Sequence, residues 1–141
     1  GRYDNNKPHM PTASYIKFNT AIENMLESGN LETETYVLKL ATAINTSAGS
    51  ITETTNGGGY TTGGVSITKS TSSQTSGTYT LAMTQPTNPV WTGSSGGFTF
   101  QYLVLVGSVS GPIGAWDYGS SQTVAASETV SVTITTIFTA S

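Results

Sequence analysis

Apolar residues gather most densely between Phe98 and Gly119, in the run FTFQYLVLVGSVSGPIGAWDYG. Phe98, Phe100, Tyr102, Val104 and Val106 share one parity, which is one face of an extended chain, while Leu103 and Leu105 make the opposite face apolar too. This spacing predicts a central strand that begins half-buried and ends covered on both faces. A Gly/Ser/Pro turn follows, and Ile113 to Tyr118 is long enough to pair back as a hairpin partner.

Elsewhere the period changes. Between Pro11 and Ser28, Tyr15, Phe18, Ile22, Met25 and Leu26 fall on one helical stripe, with Thr12 placed to cap the start and Gly29 to stop the end. One amphipathic helix is therefore predicted over Ala13 to Ser28. Alternation predicts further strands at Thr35 to Ala41, Tyr60 to Lys69 and Thr78 to Thr84, then a short one around Thr123 to Ala125 and a last one carrying Val130, Val132, Ile134, Thr136 and Phe138 on one face. Ala43 to Gly58 reads as a long surface loop and Ser70 to Gly77 as a polar joint. Pro86 and Pro89 mark an irregular crossing, after which Trp91 is placed to plug one end of the core. The expected fold is all-β, an antiparallel sandwich or jelly-roll-like Greek key of seven or eight strands with one N-terminal helix.

Composition agrees with a single domain. Hydrophobic residues are 35% of the chain and aromatic ones 9%, enough for one core. Ser and Thr supply about three residues in ten while charged residues are only 9%, so solubility rests on hydroxyls, and Thr favours a pleated surface. Residues 1–9 (GRYDNNKPH) are unpatterned, and His9-Met10 matches a common cloning junction. They read as an expression-tag scar ahead of one domain over residues 10–141. A net charge of −3 without a basic stripe argues against nucleic acid as a partner, and no run is apolar for long enough to predict a membrane span.

The candidate chemistry is sparse. Cysteine is absent and the one His lies in the scar, which predicts neither a metal site nor a His-activated nucleophile, and no cofactor is expected. Glu23 and Glu27 lie one helical turn apart and read as a solvated face. Gly57 to Gly59 lacks the Lys-Ser/Thr of a phosphate-cradling loop. Glu53, Asp117 and Glu128 would have to be brought together by the fold to act as glycosidase carboxylates. One cluster stands out, Trp116-Asp117-Tyr118 between Gly114 and Gly119. Aromatic and acidic groups together can stack on a sugar and accept its hydroxyls, although the plainer reading is a packed hairpin with Asp117 bonded to turn amides.

At Gly59-Tyr60, Gly63 to Ile67, Val90-Trp91, Tyr102 to Leu105, Pro112 to Gly119 and Ser127 to Val130, the chain resembles a family of small proteins encoded among the virion genes of tailed bacteriophages. Its members share a short amphipathic helix, a first strand, a Gly-Gly/Tyr turn, a Trp before a turn, an apolar strand, a Pro-Ile-Gly hairpin and a β tail. The resemblance spans most of residues 13–135. It implies a tail, head-fibre or capsid-decoration subunit without a reaction or cofactor, assembled in the host cytoplasm and resident in the virion. The implied partners are other virion proteins and copies of the chain itself, a trimer being favoured, with a host-surface glycan as a further ligand. Ala115-Trp116 and the length of Ala43 to Asn56 depart from the family pattern. The alternative function is a carbohydrate-binding or adhesin-type β module.

Overall fold

The structure, a computed structural model, describes residues 13–21, 24, 34–84, 90–132 and 136–140. Those residues form antiparallel sheets of ten strands: β1 (Ser14–Lys17), β2 (Tyr36–Asn45), β3 (Ser50–Glu53), β4 (Val65–Thr75), β5 (Thr78–Thr84), β6 (Val90–Thr92), β7 (Phe98–Gly107), β8 (Gly111–Val124), β9 (Thr129–Ser131) and β10 (Thr136–Ala140). The main sheet runs β1-β8-β7-β2-β4-β5-β10, with β3 paired beside the far end of β2. Strands β6 and β9 make a separate two-stranded sheet. No helix among these residues is long and apolar enough to cross a membrane.

Strand β7 is central, between β8 and β2, and its burial rises from alternating to continuous between Leu103 and Leu105. The five residues expected on one face do not share it. The β7–β8 register shifts between Phe100 and Tyr102, and this bulge inverts the facing of everything beyond it. Phe98 and Phe100 therefore join Leu103 and Leu105 in the larger core cluster, together with Tyr36, Leu38, Leu40 and Ile113. Val104 goes to the opposite face, into a smaller cluster with Ala41 and Ala115 that Tyr102 and Val106 flank. Tyr60 covers the larger cluster from the chain following β3, and Trp91 and Val130 cover it from the β6–β9 pair.

The N-terminal helix is corrected by the structure. Ser14–Lys17 is a strand that pairs antiparallel with β8, Tyr15 lying opposite Trp116, and among the described residues of this segment those that are helical are 19–21 and 24. A four-residue position along the outer edge of β8 pairs backbone groups that a helix start would leave open, and that outweighs a local 3.6-residue stripe. Phe18 donates its N–H to the Ile113 carbonyl (3.0 Å) and buries its ring against Ala41, Val104 and Ala115, where two small side chains leave room for it. Ile22, Glu23, Met25, Leu26 and Glu27 lie outside the described residues, as do Pro86 and Pro89.

Two expected loops are also strands. Within Ala43 to Gly58, β2 continues to Asn45 and turns through Thr46 to Gly49 into β3, and the Asn45 carboxamide accepts the amides of Ser47 (3.1 Å) and Ala48 (3.0 Å). The polar joint after Ser70 belongs to β4, which pairs with β5 as far as Thr75↔Thr78. Thr and Ser there satisfy the extended backbone without any apolar alternation to announce it.

Candidate functional site

The β2–β7 ladder stops at Ala41↔Tyr102, and immediately beyond that pair each strand is irregular, β2 between Ala41 and Ala43 and β7 between Phe100 and Tyr102. The first irregularity lies in the pairing of β2 with β3 and the second in that of β7 with β8, and past them β2 and β7 are no longer paired. Thr54, 3% exposed, spans the gap: its N–H donates to the Leu40 carbonyl (2.8 Å) and its hydroxyl to the Thr99 carbonyl (2.9 Å). Outside Thr54 lies a cleft of about 430 Å³, walled by residues 54–58 on one side and 95–99 on the other, with Thr42 and Thr123 completing it. The walls are tied together where the Ser94 N–H donates to the Gly58 carbonyl (2.8 Å). Phe98 and Phe100 point into the core, so Thr99 and its β8 partner Thr123 present their hydroxyls to the outer face.

Trp116, Asp117 and Tyr118 do not converge. Strand alternation in β8 puts the two aromatic rings on the face of the larger core cluster and Asp117 on the other. The Trp116 ring meets Tyr15 edge-on (centroids 5.3 Å apart) and that of Tyr118 meets Phe100 edge-on (5.6 Å). Asp117 accepts from the Gly119 amide (2.7 Å) and the Gln101 carboxamide (3.0 Å). The three residues tie the hairpin together, with the acid and the two rings on opposite faces of β8.

Among the described residues the other carboxylates each have separate partners. Glu53 on β3 accepts from the Tyr60 hydroxyl (2.6 Å) and the Gly63 amide (2.7 Å) and lies 3.9 Å from the Lys39 ammonium. Glu128 accepts from the Ala125 amide (2.6 Å), and none of Glu53, Asp117 and Glu128 lines the cleft. Glu34, buried, clamps the β7–β8 turn by accepting the Ser110 amide (2.9 Å) and hydroxyl (2.7 Å). Among the described residues no three His, Cys, Asp or Glu side chains come together in a metal-binding group.

Tyr60 couples this network to the core. Its hydroxyl accepts the Leu40 N–H (3.2 Å) and donates to Glu53, and burial, followed by the bond to Glu53, pushes its pKa well above the ordinary value. Burial raises Tyr15 and Tyr118 in the same direction. A phenol whose pKa is higher in the folded state contributes stability that is complete below about pH 10 and is lost as pH rises toward the folded value. Urea unfolding at about pH 8 and about pH 11 should therefore show an alkaline loss. Tyr60→Phe should shrink that loss while lowering stability near neutrality by about 1–2 kcal/mol, because the Leu40 amide and Glu53 each lose a partner.

Fold and site together define an antiparallel β protein with a neutral, hydroxyl-walled cleft at a point where its main sheet splits. Comparison with protein-family models, curated proteins and solved structures finds no match. Sequence reasoning missed the cleft: Thr42, Thr54, Thr99 and Thr123 are four threonines among many. Their only signal was the surplus of hydroxyls over charges.

Proposed function

We propose that the protein is a non-enzymatic structural or accessory component of a tailed-bacteriophage particle, a tail, head-fibre or decoration subunit that acts through protein–protein contacts. It is assembled in the host cytoplasm and resides in the virion. The observation that carries this reading is the pair of strands at the ends of the main sheet, β1 and β10, each with one strand partner among the described residues. An unfilled sheet edge is a row of donors and acceptors that another chain can extend. The resemblance of its sequence motifs to those of virion proteins supplies the setting. In this reading the β6–β9 pair and the main sheet are the two layers of a sandwich, and copies of the chain associate symmetrically, a trimer being favoured.

A carbohydrate-binding or adhesin-type module is the second reading, favoured by the neutral cleft, and a phage adhesin would satisfy both. Antibody labelling of purified particles should detect the protein, and light scattering at tens of micromolar should give a trimer mass. Particles without the protein, from a gene outside any structural cluster, would leave the second reading in its place. A monomer mass would remove the oligomer.

A further inference from the structure

We propose that the cleft between residues 54–58 and 95–99 is a binding site for a neutral saccharide. This assignment rests on the cleft alone, so its failure would leave the place of the protein in a virion untouched.

The lining selects the ligand. It contains five threonines, one serine, one asparagine, four glycines and Phe98, and no ionisable side chain. A hydroxyl donates and accepts through one atom, so a wall of hydroxyls is matched by a ligand whose own groups do the same. Those hydroxyls are available: Thr55, Ser95, Thr99 and Thr123 make no side-chain hydrogen bond within the described residues, and all four are exposed. The Asn56 carbonyl oxygen is engaged by the Thr62 amide (2.9 Å), which turns the carboxamide into a fixed donor. Stripping water from neutral hydroxyls costs far less than stripping it from charges, so a sugar can replace that water without an ion partner.

The site is also built in advance. The end of the β2–β7 ladder, with an irregularity in each strand's other pairing, opens it, Thr54 bridges its floor, and the Gly97 amide bonded to the Ser94 carbonyl (2.9 Å) holds the second wall. Bulges recur beside functional sites, and a preformed wall lowers the ordering cost of binding. At about 430 Å³ the cleft falls within the range of small-ligand sites. An anion would find no cation on either wall. An extended peptide would need pockets for alternate side chains, and the one apolar lining residue, Phe98, is 6% exposed.

The test is a printed array of neutral oligosaccharides probed with the full labelled chain, followed by NMR titration with the glycans retained. Binding is expected for at least one neutral class, with amide shifts centred on Asn56, Gly96, Thr99 and Thr123. The paired change Thr99→Val and Thr123→Val should weaken it about tenfold or more, and the Thr99→Ser, Thr123→Ser pair should preserve it. Retention of no neutral glycan, equal binding by the valine pair, shifts centred on Trp116 to Tyr118, or capture of peptides in place of sugars would each overturn the assignment. The wild-type shift map decides the matter even if the valine pair does not fold.

Discussion

Leu103→Asp is expected to abolish the folded state. Leu103 is 1% exposed on the central strand, with Leu40 of β2 opposite on one side and Trp116 of β8 on the other, inside the larger core cluster. A carboxylate there has no cation to pair with, since the nearest strands offer only apolar side chains at that level. Its desolvation and the lost leucine together cost several kcal/mol, comparable with the 5–15 kcal/mol that holds a typical domain together. Near-ultraviolet circular dichroism should lose its aromatic signal, and the emission of Trp91, which is buried, should shift to that of a solvated indole. Thr99→Asp, four residues earlier on an exposed position of the same strand, should melt normally. A cooperative melt for Leu103→Asp would remove β7 from the centre of the sheet.

The second large effect is expected at Gly58, from a single methyl group. Gly58 has φ of +63°, a region that an alanine enters at some cost, and a Cβ there would overlap the backbone carbonyl of Gly97. Backbone cannot swing away as a side chain can, so the two walls of the cleft would have to separate, breaking the bond from Ser94 to the Gly58 carbonyl. Gly58→Ala should lose about 3 kcal/mol or more. Gly111→Ala supplies the comparison: its φ is also positive, at +70°, but nothing lies within 4 Å of the added Cβ. It should lose strain energy alone, about 1–2 kcal/mol, and urea midpoints for the two variants should differ accordingly.

What could be read from the sequence was decided by whether a residue's role depends on its own neighbours or on distant ones. Alternation in Thr78–Thr84 and the dense apolar run Phe98–Gly107 marked β5 and β7 within a residue or so, because burial on a pleat writes a period of two into the chain. The stripe through Tyr15 and Phe18 misled because both rings do pack, Phe18 buried and Tyr15 exposed, but their partners are Val104 and Trp116, about ninety and about a hundred residues away. β3 and the far half of β4 were hidden by polar composition. The cleft was hidden more deeply, since a bulge is a mismatch between two strands and leaves no mark on either one alone. For Trp116-Asp117-Tyr118, the same period-two rule that located the hairpin already separates the acid from the aromatics.

The pairing of β1 with β8 also sets a timetable. Ser14 sits opposite Asp117 and Lys17 opposite Gly114, so the first strand meets its partner only after about a hundred further residues have been made. At cellular synthesis rates that is a wait of roughly 5–20 s, far longer than a local hairpin such as β7–β8 needs to close. On this count β1, the earliest of the described strands, waits for β8 while the β7–β8 hairpin closes locally.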